Sequence, residues 1–302
     1  MDISLALGGG GSRGFAHVGV IRRLEKDGFR IRAVAGTSAG GIIACLYAAG
    51  YTPDEMETRF AGIDQNNIYS HASNEGPGLL GLSNATKILT EFLGDRTFHD
   101  LYIPCAVVAV DIRSGREVIL NKGRVVDCIL ATVAVPGIFP PKLMGDQELV
   151  DGAVLNPVPV SIARSLEPRL PVVAVVLSPL LTKPRRFSHI PLPVKVPAQI
   201  VERITRLRVA QALAIFLQSV DIGQRMITEL RLEVDEPDVV IRPDVDDIGL
   251  LDKVEIHKVI QAGEKAVSDV MPELLRSVNW RHRIGMRLFP PGGGRQKVGK
   301  TG

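Results

Sequence analysis

Short apolar runs alternate with amphipathic helical segments along most of this chain, and that alternation limits the possible folds more than any other feature. Residues 3–7 (ISLAL), 31–36 (IRAVAG), 103–112 (IPCAVVAVDI), 116–120 (REVIL), 147–152 (QELVDG), 171–179 (PVVAVVLSP) and 238–245 (DVVIRPDV) read as strands. Between them lie helical patterns. Residues 14–27 carry Val18, Ile21 and Leu24 on one face and stop at Gly28. Others cover 38–50, 52–63 (opened by Thr52, Pro53 and two acids), 85–93, 125–133, 157–166, 199–218 and 255–275, the last tolerating Pro272 near its end. Such alternation predicts a three-layer α/β/α domain over residues 1–275, with a mainly parallel central sheet covered on both faces. Residues 66–84 and the proline-bearing stretch VPGIFPP read as loops.

Two glycine motifs fall at strand-to-helix junctions, where an open parallel sheet collects its chemistry. Gly9, Gly11 and Gly14 form a G-x-G-x-x-G after the first strand. A dinucleotide-binding reading requires an acid about 20 residues further on, at the end of the second strand, for the ribose hydroxyls. No acid stands there, because residues 31–35 run directly into Gly36-Thr37-Ser38-Ala39-Gly40. This second motif is a G-x-S-x-G between strand and helix, the context of a nucleophile elbow. Gly36 and Gly40 permit a sharp turn, and the helix N-terminus favours negative charge beside Ser38. If Ser38 attacks an acyl carbonyl, the bare N–H groups of Gly9, Gly10 and Gly11 suit the oxyanion. Asp151, followed by Gly152, is the candidate base at an edge of the sheet, where desolvation raises a carboxyl pKa. Taken singly, GTSAG is also a small-residue packing turn, and Asp151-Gly152 an ordinary turn.

A Ser-His-Asp triad on an α/β-hydrolase fold is the rival arrangement, with His189 or His257 preserving the chain order. An elbow after only the second strand is early for that fold. His17, on the first helix, reads as a capped or surface imidazole.

Composition removes other classes. Cys45, Cys105 and Cys128 stand singly without C-x-x-C spacing, which argues against a disulfide framework or structural zinc and fits a reducing compartment. Residues 1–9 lack the basic and long apolar regions of a secretory signal. The uncharged stretch 33–53 has the length of a membrane span. However, Gly36, Ser38, Gly40 and Gly41 divide it into a strand, a turn and a helix too short to cross at about 1.5 Å per residue.

Taken together, Gly9-Gly10-Gly11-Ser12-Arg13-Gly14, Gly36-Thr37-Ser38-Ala39-Gly40 and Asp151-Gly152-Ala153 resemble the patatin-like phospholipase family, whose pattern is G-G-G-x-[RK]-G, G-x-S-x-G and D-G-[GA] in that order. The resemblance covers about residues 3–179, and the extra Gly8 leaves the register of the first loop open by one residue. It implies a patatin-like fold and a Ser–Asp dyad acting on acyl esters of lipids, phospholipid or lysophospholipid, without cofactor or metal. Ser38 would be the nucleophile, Asp151 the base, and Gly9, Gly10 and Gly11 the oxyanion hole. Arg13, Gly14, Gly36, Gly40 and Gly152 would support them. Arg13 would either brace the loop or sense a phosphate head group. A lipid-binding scaffold with an idle dyad is the non-enzymatic alternative.

Residues 184–218 mix basic and apolar side chains, as expected of either a lid or interfacial segment, or of a surface excursion followed by a core helix. After Glu273 seven Arg and Lys and no acid occur, more than the whole net charge of +3. Residues 276–302 therefore read as a basic, disordered tail, either tethered to anionic lipid or nucleic acid or simply solvated. The expected setting is cytoplasmic, with peripheral contact on the inner membrane face and no nucleic-acid partner. The oligomeric state is open.

Overall fold

The computed structural model describes residues 1–65, 68, 78, 80–180 and 200–278, with side chains undescribed at 200–214 and 217. In chain order its main elements are β1 (Asp2–Leu7), α1 (Ala16–Lys26), β2 (Arg30–Thr37), α2 (Ala39–Ala48), α3 (Pro53–Ala61), α4 (Ser83–Leu93), β3 (Cys105–Asp111), β4 (Arg116–Leu120) and α5 (Val125–Thr132). There follow β5 (Lys142–Met144), β6 (Gln147–Asp151), α6 (Val160–Leu166), β7 (Val172–Val175), α7 (Ile200–Asp235), β8 (Val239–Ile241), α8 (Ile256–Asp269) and α9 (Met271–Ser277). Most of residues 66–79, all of 181–199 and the tail beyond 278 lie outside the described residues, and with them most of the expected long loop, much of the candidate lid and nearly all of the basic tail.

One sheet runs β5-β6-β3-β2-β1-β7-β8, with β4 also paired to β3. The ladders β3/β2, β2/β1, β1/β7 and β7/β8 are parallel; those joining β3 to β4, β3 to β6 and β5 to β6 are antiparallel. The three-layer, mainly parallel architecture holds, with an antiparallel end that includes the short β5. Strand alternation sorts the core. Ile3, Leu5, Leu7, Val107 and Val175 face the layer containing α1, α2, α5 and α8. Ala6, Ala35, Ala106 and Ala174 form a low surface that lets α6 and Leu232 of α7 approach closely.

Local chemistry sets most boundaries. Thr52 and Glu55 form a capping box on α3, with Pro53 in its first turn. Gly28 takes a φ of 85°, which ends α1. The strand β5 was not expected from the sequence, and three helices differ from the expectation. The first helix is entered through a tight 3-10 turn, Gly11–Phe15, because Gly11 adopts a φ of 57°. The closing helix divides at Val270: Pro272 lacks an N–H and would press on the carbonyl four residues back, so it opens α9 instead of continuing α8. α7 runs on to Asp235 through Gly223, supported by an Asp221–Arg225 ion pair one turn apart. The stretch 33–53 divides into β2 and α2, and among the described residues no helix is long and apolar enough to cross a membrane.

Candidate active site

β2 pairs with β3 as far as Thr37 opposite Val108, and β6 takes up the pairing at Asp151 opposite Ala109. β4 already occupies the other edge of β3 from Val107 to Asp111. β2 and β6 therefore share one edge and meet there carboxyl end to carboxyl end. This junction brings the residue after β2, Ser38, against the last residue of β6, Asp151, across 113 positions of sequence. Asp151 reaches the site as the last residue of an antiparallel strand, β6, which lies between β5 and β3.

Ser38 carries φ 55° and ψ −125°, one of two non-glycine residues with positive φ among those described. Such backbone costs on the order of 1–3 kcal/mol and persists only where its surroundings enforce it. Here the enforcement comes from glycine contacts on both sides of the turn. A Cβ at Gly36 would lie 2.4 Å from the Gly40 carbonyl oxygen, and one at Gly40 would lie 2.2 Å from that of Leu7. A side chain at Gly14 would overlap Ala39, and one at Gly152 would overlap the Val108 carbonyl. Thr132, at the end of α5, splices the gap between the two strands. Its hydroxyl accepts from the Ser38 N–H at 2.9 Å and donates to the Val108 carbonyl. Thr37 donates to the Asn156 carbonyl at 2.9 Å, and the Asp151 N–H donates to that of Ala134.

Ser38 and Asp151 are 6% and 2% exposed. The Ser38 side chain lies beside the Asp151 carboxyl and favours its charged form, as does the Ala153 N–H, which donates to it at 2.8 Å. Burial outweighs both influences and pushes this carboxyl up to about 6. The ionisation of Asp151 thus falls near neutral pH.

The glycine loop lies over the same point, with Gly9 against Ser38 and Ala153. Gly8 and Gly9 continue the pairing of β1, donating to the carbonyls of Val175 and Pro157. The Gly9 amide is therefore engaged, which narrows the expected three donors to two. No hydrogen bond from the Gly10 or Gly11 amide occurs among the described residues. Arg13, buried, donates to the carbonyls of Gly10 at 3.0 Å and Leu177 at 2.8 Å. In a trans peptide the carbonyl and the following N–H point opposite ways, so holding the Gly10 oxygen turns the Gly11 N–H away from the guanidinium. That geometry favours bracing over head-group sensing.

His17 is fully buried, so of the two readings offered for it, a capped or a surface imidazole, the surface one fails. Its Nε2 lies 2.8 Å from the Gly8 carbonyl oxygen, and burial pushes its pKa down to about 4. The ring is neutral and donates to the loop. His257 lies on α8, bonded to Glu57 and Gln261, and His189 is outside the described residues. Thr132, Asn156 and His17 are the site's framework residues that carry no motif in the sequence.

An apolar cavity of about 180 Å³ opens beside Ser38 and Gly11. Ile42, Ile43, Phe60, Ala85, Leu89 and Phe139 are among its walls. Among the described residues no group of three His, Cys, Asp or Glu is placed to hold a metal ion.

The chain is similar to several known proteins. An uncharacterized NTE family protein of Mycobacterium tuberculosis is 32% identical over 161 residues, 53% of this chain and 44% of that protein. A lysophospholipase of Mycosarcoma maydis is 29% identical over 196 residues, 62% of this chain and 10% of that protein. The chain spans about half the length of the mycobacterial relatives it matches. Among solved structures, VipD of Legionella pneumophila aligns with a TM-score of 0.48 at 12% identity, over 91% of this chain and 67% of that one. The family model for patatin-like phospholipases matches residues 5–164, more than half of the chain and all three glycine-bearing motifs, and on that match the chain belongs to the patatin-like phospholipase family.

Proposed function

We propose that this chain hydrolyses acyl esters of lipids, phospholipid or lysophospholipid, through a Ser38–Asp151 dyad and an acyl-enzyme. The observation that carries the reading is the contact between a strained serine and a desolvated carboxyl where β2 and β6 meet. Ser38 Oγ attacks the ester carbonyl while its proton passes to Asp151. The resulting oxyanion is received by the Gly10 and Gly11 amides, with the N-terminus of α2 adding favourable potential. As the tetrahedral intermediate collapses, protonated Asp151 returns the proton to the departing alkoxide. A water, deprotonated by Asp151, then attacks the acyl-enzyme, and the proton moves back to Ser38 as the fatty acid leaves. The apolar cavity suits the acyl chain. The free thiols of Cys45, Cys105 and Cys128, the first two 3.9 Å apart, suit a reducing, cytoplasmic setting.

Offered phosphatidylcholine, lysophosphatidylcholine or triacylglycerol, the purified protein is expected to release fatty acid from at least one. Ser38→Ala and Asp151→Ala each reduce that release about a thousandfold or more, and His257→Ala leaves it unchanged. Release that survives Ser38→Ala, or that is lost with His189→Ala or His257→Ala, overturns the dyad.

A further inference from the structure

Two loops far apart in sequence adjoin in the wall of the cavity beside Ser38. Ile63 and Gln65 come from the turn after α3, and Leu250, Leu251, Asp252 and Lys253 from the connection between β8 and α8. One side chain joins them. Gln65 donates from Nε2 to the Val254 carbonyl at 3.0 Å, and its Oε1 accepts from the Val254 N–H at 3.0 Å. A carboxamide sets a donor and an acceptor side by side, so it satisfies both backbone groups of one residue as a neighbouring strand does. Among the described residues no other hydrogen bond reaches the Val254 backbone.

This clip holds one end of a strip whose other end lies on the glycine loop. The Leu250 carbonyl accepts from the Ser12 N–H at 2.9 Å. Its oxygen stands 2.0 Å from the place that a Cβ on Gly11 would take, so only a glycine lets the strip lie so close. Midway along, the Asp252 carboxyl accepts from the Gly249 N–H at 2.7 Å and shapes the turn. Residues 250–254 thus run from the Gly11 loop to Gln65. On its other side the clip is rooted in α3, because the Ile63 N–H donates to the Phe60 carbonyl at 3.1 Å and Phe60 is itself a wall of the cavity.

We propose that Gln65 is a positioning residue that sets acyl-chain preference, by clipping Val254 and so fixing residues 250–254 as a wall of the cavity, an inference that rests on the lipid-hydrolase reading of the site. An apolar chain gains affinity from many small contacts with wall atoms, each of which is forfeited when the wall shifts by a fraction of an ångström to an ångström. A long acyl chain meets more of the wall than a butyryl group does. A wall released at Val254 therefore costs the long chain more, and the loss falls mainly on binding.

The test compares kcat/KM of the full chain for p-nitrophenyl myristate and p-nitrophenyl butyrate. Gln65→Met keeps the length of the side chain and removes both bonds; Gln65→Glu keeps the acceptor and loses the donor. In Gln65→Met the myristate-to-butyrate ratio is expected to fall about tenfold or more, chiefly through KM for myristate, and in Gln65→Glu it falls in the same direction. A ratio unchanged from the wild type overturns the proposal, whether the two rates stay level or drop together. Both variants are expected to keep the circular dichroism spectrum and a single thermal transition. If neither folds, the clip serves the fold and not the wall, which also overturns it. Calorimetric binding of myristate to Ser38→Ala needs no hydrolysis, and adding Gln65→Met is expected to weaken it about tenfold; equal binding by the two proteins overturns the proposal as well. Hydrolysis retained by Ser38→Ala would instead defeat the reading of the site, which this binding does not measure.

Discussion

At the scale of single residues, Asp151 is held between opposing influences. Burial raises its carboxyl to about 6, while the Ser38 hydroxyl and the Ala153 N–H favour the charged form. In the proposed dyad ionised Asp151 is the working base, so kcat/KM for a neutral ester is expected to rise with pH, pass half-maximum near 6 and level off above. The same shift bears on stability. The folded-state pKa lies above the ordinary 3.8, so between those values the folded chain binds more protons than the unfolded one. Stability attributable to this group is greatest below that window and falls as pH rises through it. Asp151→Asn, neutral throughout and still able to accept from Ala153, should therefore be inactive yet more stable than the wild type at pH 8, by on the order of 1–2 kcal/mol in chemical denaturation. Equal stabilities at pH 8 would mean that the carboxylate is not desolvated.

Between elements, the site depends on a seam. Thr132 holds the Ser38 N–H and the Val108 carbonyl where the ladder passes from β2 to β6. Thr132→Val keeps the shape and removes both bonds, leaving a buried donor and a buried acceptor unpaired. A loss of about 2–4 kcal/mol in stability is expected, together with a lower kcat at unchanged KM for a soluble ester. An unchanged kcat would show that the elbow holds itself. This seam also marks how far the sequence could be read. The turn at Ser38 was legible because its glycines and its strand–helix context are local. Asp151 stood out through its own motif, but its antiparallel approach did not, because pairing between β6 and β3 is non-local. Thr132 carries no spacing signal at all. The break at Pro272 was visible as a proline, and its position was misread because the first turn of a helix tolerates proline where an interior does not. The engaged Gly9 amide was illegible for a related reason: its partner, Pro157, lies beyond Asp151 in sequence.

At the scale of the whole molecule, one layer of helices covers the larger core and also encloses the cavity that ends at Ser38. α4 contributes Ala85 to its wall. Ala85→Trp should fill part of that space, so that kcat/KM falls about tenfold or more for long acyl chains and stays level for acetyl and butyryl esters. An equal loss at every chain length would mean that the acyl group lies elsewhere. The central claim, that Ser38 is the nucleophile activated by Asp151, is tested most directly by a fluorophosphonate followed by intact mass and peptide mapping. The account predicts a single adduct on Ser38 in the wild type, none in Ser38→Ala and slowed labelling in Asp151→Asn. A folded wild type that stays unlabelled, or an adduct mapped to any other residue, would contradict it.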